Sequence, residues 1–286
     1  MTKLYVSQIF GPSFQGEGSR TGVQTLFLRL FGCNLRCQGF FQDNPTDPST
    51  YISPINFDPK LIKVLDDVPV IERGCDTLYA IDPRFKHLRK SYEVDDIITE
   101  LTSYLPDGRW GYKNRNLIDL CITGGEPLLQ QKALVEMISK MEKLPNVIQI
   151  ETNGTQKLSK EFNELTSDIC NPTSYQFNVS LKLFNVSGED YEWNVDNILS
   201  YSKYCKTDLK IVMNSNLESW NELDRKLKPI IDSHEGVQIY IMPVGATYEQ
   251  QSDYNEIEKI TKMALERGFH ISGRLHVNFL GNSVNV

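Results

Sequence analysis

The chain has 286 residues, of which 40% are hydrophobic and 23% are charged, and its formal net charge is −7 at pH 7. This composition is typical of a globular protein with one large or two small domains, and the acidity argues against a broad nucleic-acid-binding surface. No apolar run approaches the roughly 18–20 residues that a membrane helix needs, and the N-terminus lacks a signal-peptide core. We therefore expect a cytoplasmic protein that binds neither membrane nor nucleic acid.

The N-terminal part predicts a strand at residues 5–11, followed by a polar loop at residues 13–18. Gly16 and Gly18 would let the backbone approach a ligand closely, while Gln15 and Glu17 offer an amide and a carboxylate. Local sequence alone leaves open that this loop is an ordinary surface turn.

A nearly continuous apolar run at residues 25–31 predicts a strand buried on both faces. Arg29 interrupts this run, and a buried arginine needs an anionic partner. It either pairs internally or reaches a carboxylate ligand near the strand end. Cys33 and Cys37 follow the strand on a loop, where parallel α/β folds place their chemistry.

Residues 38–74 contain five of the 13 prolines and read as an ordered or semi-ordered excursion with a short helix at residues 59–67. From residue 93 helical and strand patterns alternate, which calls for a parallel sheet, open or curled into a partial barrel. Helices are predicted at residues 93–105, 131–144, 160–166, 196–204, 217–231 and 254–267, and strands at 117–122, 147–151, 175–180, 208–213, 237–242 and about 270–279.

Polar or glycine-rich motifs follow four of these strands, and in a parallel sheet such strand ends share one rim. Any one motif alone is more often a simple turn, but four at one rim indicate a ligand site. Gly124 and Gly125 leave the backbone open to a small polar ligand. Glu151 could accept hydrogen bonds from a ribose or an amine, and Lys182 could bind a carboxylate. The motifs are Thr123-Gly124-Gly125-Glu126-Pro127, Glu151-Thr152-Asn153-Gly154-Thr155, Ser180-Leu181-Lys182 and Met242-Pro243-Val244-Gly245.

Cysteines after the first core strand, a Gly-Gly-Glu-Pro loop and a downstream Glu-Thr-Asn-Gly loop resemble the radical S-adenosylmethionine superfamily. That resemblance implies an open, TIM-like (β/α) barrel and a [4Fe–4S] cluster held by three thiolates. The fourth iron would stay open for S-adenosylmethionine. Thiolates are the soft ligands that such clusters require.

Within this superfamily the chain is similar to the 7-carboxy-7-deazaguanine synthases. The shared features are the Phe-Gln-Gly-Glu-Gly segment that starts at Phe14, Arg29 four residues before the first cysteine, and Cys75-Asp76-Thr77. The resemblance runs from residue 9 to about residue 280. One departure is Leu181, where the family usually has proline.

The cysteine spacing is a second departure, because the usual Cys-x3-Cys-x2-Cys motif would place the third cysteine at Phe40. Cys121 lies inside a predicted strand, and Cys170 and Cys205 lack metal-ligand neighbours. We therefore expect Cys75 to be the third ligand and residues 38–74 to be an insertion in a single domain of residues 1–286. Such a long loop costs only ~1–2 kcal/mol more than a short one. The alternative is that Cys75 is a buried thiol and no cluster forms.

The resemblance implies a role for each matching residue, none of them as a catalytic acid or base. Cluster ligands would be Cys33, Cys37 and Cys75, with Thr77 on Mg2+. Contacts to S-adenosylmethionine would come from Asp76, Gly125, Glu151, Asn153, Ser180, Lys182, Met242, Pro243, Val244 and Gly245. Contacts to a pterin substrate would come from Phe14, Gln15, Gly16, Glu17, Arg29, Thr123, Arg274 and His276, the last of which is equally explained as a structural histidine.

The implied activity is that of a carbon–nitrogen lyase. A 5′-deoxyadenosyl radical would abstract hydrogen from C6 of 6-carboxy-5,6,7,8-tetrahydropterin, and Mg2+-assisted ring contraction with loss of ammonia would give 7-carboxy-7-deazaguanine. The family also implies a homodimer and an electron donor such as flavodoxin. Sequence does not say whether the product serves tRNA queuosine or a DNA modification.

Two other functions stay open at this point. The chain could be an activase that generates a glycyl radical on a partner protein, although Gln15, Glu17 and Arg29 favour a small molecule. It could also be a non-catalytic zinc-binding or ligand-binding module. Structural zinc usually takes four ligands, and no obvious fourth accompanies the three cysteines.

Overall fold

A computed structural model describes residues 2–113, 115–168, 170, 173–233, 236–282 and 284. In these ranges no helix combines the length and the apolar character needed to cross a membrane. In chain order the strands are β1 (Lys3–Phe14), β2 (Gln24–Leu30), β3 (Lys90–Glu93), β4 (Gly111–Tyr112), β5 (Arg115–Asn116), β6 (Asp119–Gly124), β7 (Val147–Thr152), β8 (Ser174–Val179), β9 (Lys206–Met213), β10 (Gln238–Pro243) and β11 (His270–Ile271). The α-helices are α1 (Val94–Ser103), α2 (Gln131–Lys140), α3 (Lys160–Ser167), α4 (Phe184–Ser187), α5 (Val195–Ser202), α6 (Leu217–Ser233), α7 (Tyr254–Glu266) and α8 (Leu275–Leu280).

The main sheet has nine strands in the order β11-β10-β9-β8-β7-β6-β2-β1-β3, and β4 and β5 form a separate hairpin. From β2 to β11 neighbouring strands are parallel, whereas β1 is antiparallel to β2 and β3. A loop without a crossover helix joins β1 to β2, and such a loop suits an antiparallel pair. The predicted α/β class with a largely parallel sheet is confirmed, while the partial-barrel shape and the single-domain organisation stay predictions.

Alternate side chains of the central strands form an apolar, buried face of the sheet, whereas the opposite face of β7, β8 and β9 carries buried polar residues such as Gln149, Gln176 and Lys210. Leu26, Leu28 and Leu30 of β2 are fully buried, as are Leu120 and Ile122 of β6. The helices cover the sheet with an apolar stripe at helical spacing, seen in the buried side chains Val94, Ile97 and Leu101 of α1 and Leu134, Met137 and Ile138 of α2. This packing fixes the strands whose carboxyl ends carry the four motifs.

Two predicted elements are wrong. In place of the helix predicted at residues 59–67 there are two separate 3-10 turns, Pro59–Leu61 and Leu65–Asp67. The backbone is extended at Ile62 and Val64 between them, which interrupts a helix. The final strand at about residues 270–279 is only β11 followed by α8. Leu275, Val277 and Phe279 alternate like a strand, but the chain turns helically there and only Val277 is buried. The sequence patterns also do not predict β3, the β4–β5 hairpin or α4.

The two ends of the excursion at residues 38–74 meet in space. Gly74 N donates to Phe40 O at 2.8 Å, and Arg73 Nη1 donates to Phe41 O at 2.6 Å. The excursion and the segment that follows it form a separate apolar cluster. Its buried members are Ile55, Val68, Ile71, Leu78, Tyr79, Ala80, Ile81 and Phe85. Cys75 is therefore returned to the neighbourhood of Cys37, although the description of this segment as an insertion stays a prediction.

Candidate functional site

A cavity of about 260 Å³ lies at the carboxyl ends of the parallel strands. Every site residue predicted from the sequence contributes to its wall, whereas Cys121, Cys170 and Cys205 do not. Further lining residues that the sequence did not indicate include Phe10, Phe27, Phe40, Tyr79, Lys210 and Asn282. The structure thus brings the predicted residues together, and the role of each stays a prediction.

The three thiols Cys33, Cys37 and Cys75 share this cavity wall. Burial raises the pKa of Cys37 well above its ordinary value, and the nearby Cys75, Glu189 and Cys33 add to that rise. Burial and Asp76 raise the pKa of Cys75 to about 11. The mutual influence of these thiols reflects their proximity.

The donor set decides which kind of metal group fits here. Among the described residues no three or more His, Cys, Asp or Glu side chains converge on a single metal ion. Three soft thiols spread around one cavity instead suit a larger iron–sulfur cluster bound at several irons.

Glu126 of the Gly-Gly-Glu-Pro motif is buried and accepts hydrogen bonds from the last residue of β7 and from the loop after it. Its Oε2 accepts from Asn153 N at 2.6 Å, and its Oε1 accepts from Thr152 Oγ1 at 2.8 Å. Asn153 Nδ2 in turn donates to Asn34 Oδ1 at 2.9 Å and lies 3.7 Å from Cys33 Sγ. Burial raises the pKa of Glu126 to about 7 despite these donors. This glutamate therefore joins the β7 loop to the first cysteine.

The glycine pair of the same motif is needed for backbone packing. A Cβ on Gly124 would lie 2.2 Å from Leu30 O, and one on Gly125 would lie 2.1 Å from Gly32 O and 2.9 Å from the Cβ of Cys33. Gly124 also has φ +139°, which side chains disfavour. The end of β6 thus presses directly on the backbone that carries Cys33. The sequence predicted that these glycines let a ligand approach closely. The structure gives them a second reason, which is backbone packing against Leu30, Gly32 and Cys33.

A chain of alternating charges crosses the cavity from Glu151 through Lys210, Glu17 and Arg274 to Asp76. Lys210 Nζ lies 2.9 Å from each Glu151 oxygen and 2.8 Å from Glu17 Oε2. Arg274 bridges Glu17 Oε1 at 3.0 Å and Asp76 Oδ2 at 2.6 Å. Although burial works in the opposite direction, Lys210 and Arg274 hold the pKa of Glu17 far below its ordinary value.

Lys210 is a charged cavity residue that sequence reasoning missed. Its side chain is 1% exposed, and burial, which lowers its pKa, is outweighed by Glu151 and Glu17, which raise it. A signal was available, since a lone lysine inside an apolar strand needs an anionic partner as Arg29 does.

Arg29 forms no ion pair with a carboxylate among the described residues, although, against the effect of burial, Arg274 and, more weakly, Arg29 lower the pKa of the nearby Asp76. Its Nε donates to Gln8 Oε1 at 3.2 Å, and its guanidinium lies 5.4 Å from the ring centre of Phe10 and 5.8 Å from that of Tyr79. Aromatic faces stabilise a cation without neutralising its charge. Among the described residues Arg29 therefore has polar and aromatic neighbours, and its contact with a carboxylate ligand stays a prediction.

The loop at residues 13–18 is packed against the C-terminal segment rather than forming an exposed turn. Leu275 N donates to Gly16 O at 2.9 Å, and a Cβ on Gly16 would lie 1.9 Å from His276 Nδ1. Gln15 Nε2 donates to Gln149 Oε1 at 3.0 Å and to Glu151 Oε1 at 3.2 Å. Burial lowers the pKa of His276 to about 4, so this imidazole is neutral near pH 7.

The Ser-Leu-Lys motif keeps both polar groups at the cavity despite its leucine. Leu181 is buried in the core, while Lys182 Nζ donates to Ser180 Oγ at 2.5 Å. Lys182 Nζ also lies 5.8 Å from the ring centre of Phe40. Thr77 Oγ1 lies 3.5 Å from Cys75 Sγ at the opposite wall.

Comparisons with known proteins found a matching family model, curated relatives and a similar solved structure. The family model described as "4Fe-4S single cluster domain" matches residues 14–170. A 7-carboxy-7-deazaguanine synthase of Hyperthermus butylicus is 32% identical over 153 residues, which cover 54% of this chain and 44% of that protein. One of Methanospirillum hungatei is 26% identical over 253 residues, covering 88% of this chain and 77% of that protein. The crystal structure of QueE from Escherichia coli has a TM-score of 0.55 at 20% identity, covers 96% of this chain and 95% of that chain, and shows a shared fold.

Proposed function

This chain belongs to the family of 4Fe-4S single cluster domains, and we propose that it is a radical S-adenosylmethionine 7-carboxy-7-deazaguanine synthase. It would convert 6-carboxy-5,6,7,8-tetrahydropterin to 7-carboxy-7-deazaguanine with loss of ammonia. The observation that carries the proposal is that Cys33, Cys37 and Cys75 line the same cavity as Arg29, which forms no ion pair with a carboxylate among the described residues. Thiols for a cluster beside such a cation suit radical chemistry on a carboxylated substrate.

In this proposal the cavity has a cofactor side and a substrate side. When bound, the [4Fe–4S] cluster and S-adenosylmethionine supply one-electron radical chemistry. Cys33, Cys37 and Cys75 hold the cluster, and Thr77 serves as a ligand to Mg2+. S-adenosylmethionine contacts Asp76, Gly125, Glu151, Asn153, Ser180, Lys182, Met242, Pro243, Val244 and Gly245.

On the substrate side Arg29 binds the pterin carboxylate, and aromatic side chains exclude water from the reacting carbon. Lys210 holds the carboxylates of Glu17 and Glu151 in place through its hydrogen bonds, so that both present lone pairs to ligand N–H and O–H groups. The remaining substrate contacts come from Phe14, Gln15, Gly16, Thr123, Arg274 and His276.

We further propose a cellular location, an oligomeric state, an electron donor and an overall shape for the protein. The chain acts in the cytoplasm as a homodimer, receives its electron from a donor such as flavodoxin, and forms a partial barrel whose cluster loop is opened by an insertion at residues 38–74. Family resemblance supports each of these points, and the meeting of Phe40 with Gly74 supports the last.

The test is to purify the protein anaerobically, reconstitute it, and measure iron, sulfide and zinc before adding S-adenosylmethionine, Mg2+ and the pterin. We expect about four irons and four sulfides per chain, as a [4Fe–4S] cluster requires, and formation of 7-carboxy-7-deazaguanine. Zinc without sulfide would instead identify a metal-binding module. A cluster that cleaves S-adenosylmethionine but leaves the pterin unchanged would favour an activase.

The ligand assignment has its own pair of variants. Cys75→Ala should abolish cluster assembly because only two thiols would remain at the cavity. Cys121→Ala should retain iron, since Cys121 is buried outside the cavity lining. Equal iron content in both variants would refute Cys75 as the third ligand.

A further inference from the structure

The segment after α4 contacts the loop that carries Cys37. Glu189 Oε1 accepts from the backbone amides of both Arg36, at 2.6 Å, and Cys37. Two residues further along the loop, Gly39 N donates to Ser187 O at 2.8 Å. The loop is therefore held to residues 187–189 at three points, Arg36, Cys37 and Gly39.

The backbone at Cys37 is in a conformation that needs such support. Its φ is +50°, in the left-handed region that residues with a side chain seldom adopt. Residues in this region persist where surrounding contacts determine them. A carboxylate accepting the Cys37 amide is such a contact, and hydrogen bonds to a charged acceptor are among the stronger ones in proteins.

The two segments also touch backbone to backbone. A Cβ on Gly39 would lie 2.6 Å from Gly188 N and 2.8 Å from Pro45 O. Gly188, with φ +73°, has the Tyr51 hydroxyl 2.3 Å from the place of its missing Cβ. Both glycines are required for this approach, so the start of the excursion and the end of α4 fit as one unit.

The supporting segment is itself anchored to the helical layer. Glu222 of α6 accepts from the amides of Phe184 at 2.8 Å and Asn185 at 3.0 Å, which begin α4. Glu222 is paired with Lys226 at 3.1 Å, and both side chains are less than 10% exposed. A continuous series of contacts therefore runs from α6 through α4 to Glu189 and Cys37.

We infer that Glu189 is a positioning residue that sets the backbone of Cys37, and with it the thiol, for cluster assembly. The inference rests on the proposed function for its cluster. In a short three-cysteine motif the neighbouring ligand limits the conformations of the second cysteine. Here 37 residues separate Cys37 from Cys75, and Glu189 supplies a constraint through its hydrogen bonds to the amides of Arg36 and Cys37.

The test compares Glu189→Ala and Glu189→Gln with Glu192→Ala, whose side chain is 79% exposed. After anaerobic reconstitution we expect Glu189→Ala to hold severalfold less iron and sulfide than the wild type. Glu189→Gln should retain most of it, because an amide oxygen still accepts from both backbone amides. The retained cluster of Glu189→Gln should have a more positive midpoint potential, since one negative charge near it is lost.

A second readout needs no cluster. In the metal-free full chain, alkylation of Cys37 by iodoacetamide, measured by peptide mass spectrometry against exposed Cys170, should be roughly tenfold faster in Glu189→Ala than in wild type, Glu192→Ala or Glu189→Gln, the last of which loses the charge but keeps the acceptor. Equal alkylation rates in Glu189→Ala and wild type would overturn the inference. If the wild type assembles no cluster, the proposed function fails, while the alkylation result still decides whether Glu189 positions Cys37.

Discussion

At the scale of single residues, the cavity depends on one cation held between two acids. Lys210 is buried and contacts Glu17 and Glu151 from strands and loops far apart in the chain. Its removal would take the shared cation away from two partly buried carboxylates, of which Glu17 would keep Arg274 as a partner, and such a loss costs several kcal/mol. The loss would affect folding and ligand binding together.

We therefore predict that Lys210→Met lowers the free energy of unfolding by about 3–5 kcal/mol and reduces product formation at least tenfold. Lys210→Arg should recover part of both because it keeps the charge. Urea titration and a product assay measure the two effects. Lys206→Met is the control, as that side chain is 49% exposed on the same strand; equal unfolding midpoints for the two methionine variants would contradict this role.

A second prediction at this scale concerns Gly16. Gly16→Ala should displace His276, because the new Cβ would lie 1.9 Å from its ring nitrogen. We expect at least a tenfold rise in the KM for the pterin with a smaller change in kcat, measured by steady-state kinetics. Gly273→Ala is the matched control, since nothing lies within 4 Å of its Cβ position. An unchanged KM in Gly16→Ala would show that the contact between Gly16 and His276 does not contribute to substrate binding.

At the scale of elements, the excursion at residues 38–74 is tied to the cluster loop through a small apolar core. Ile71 is 3% exposed and packs in the same cluster as Leu78 and Tyr79, just after Cys75. The 3-10 turns of the excursion bury little by themselves. Its order therefore depends on this core and on the Phe40–Gly74 hydrogen bond.

We predict that Ile71→Ala costs about 2–4 kcal/mol of local stability, the usual range for a buried isoleucine. Hydrogen exchange at residues 55–81 should speed up, and iron content after reconstitution should fall because Cys75 loses its fixed place. Leu61→Ala, at a side chain 73% exposed in the same excursion, should change neither. Faster exchange with unchanged iron content would show that Cys75 is positioned without the excursion.

At the scale of the whole molecule, buried ionisable groups make stability depend on pH. Burial lowers the pKa of His276 to about 4, below the roughly 6.5 of an exposed histidine. Between these values the unfolded chain binds the proton and the folded chain does not, so stability is full above pH 6.5 and is lost as the pH falls towards 4. The lowered pKa of Glu17 adds a further loss in still more acidic solution.

We predict that stability falls between pH 6.5 and 4 by up to about 3 kcal/mol on account of His276. His276→Asn should flatten this part of the profile, as measured by urea unfolding at several pH values. His270→Asn is the control, because that histidine lies at the exposed edge strand β11. The same slope in His276→Asn and wild type would assign the acid sensitivity to other groups.

Much of the fold follows from local pattern. Apolar residues recur at helical spacing in α1 and α2 and run almost unbroken through β2 and β6, so the predicted bounds differ from the observed ones by only a few residues at each end. The pattern failed where segments are short. Residues 275–280 alternate like a strand, yet they form α8, and only His270 and Ile271 of the predicted final strand pair with β10.

The candidate site was predictable in part for a related reason. Its residue types stand at the ends of parallel strands, and strand direction alone brings Cys33, Thr123, Glu151 and Ser180 to one rim. The spacing to Cys75 was interpretable only by resemblance, because nothing local to residues 38–74 indicates that Phe40 and Gly74 meet.

The sequence by itself therefore determined the α/β alternation, the rim that carries the chemistry, and the thiols, acids and cations that face the cavity, except for Lys210. The tertiary structure alone decided which of these groups hold one another. Lys210 meets Glu17 across 193 positions of sequence, and Glu189 meets Cys37 across 152. Periodicity reports only on neighbours within a turn or a strand, whereas such pairings depend on how distant segments pack.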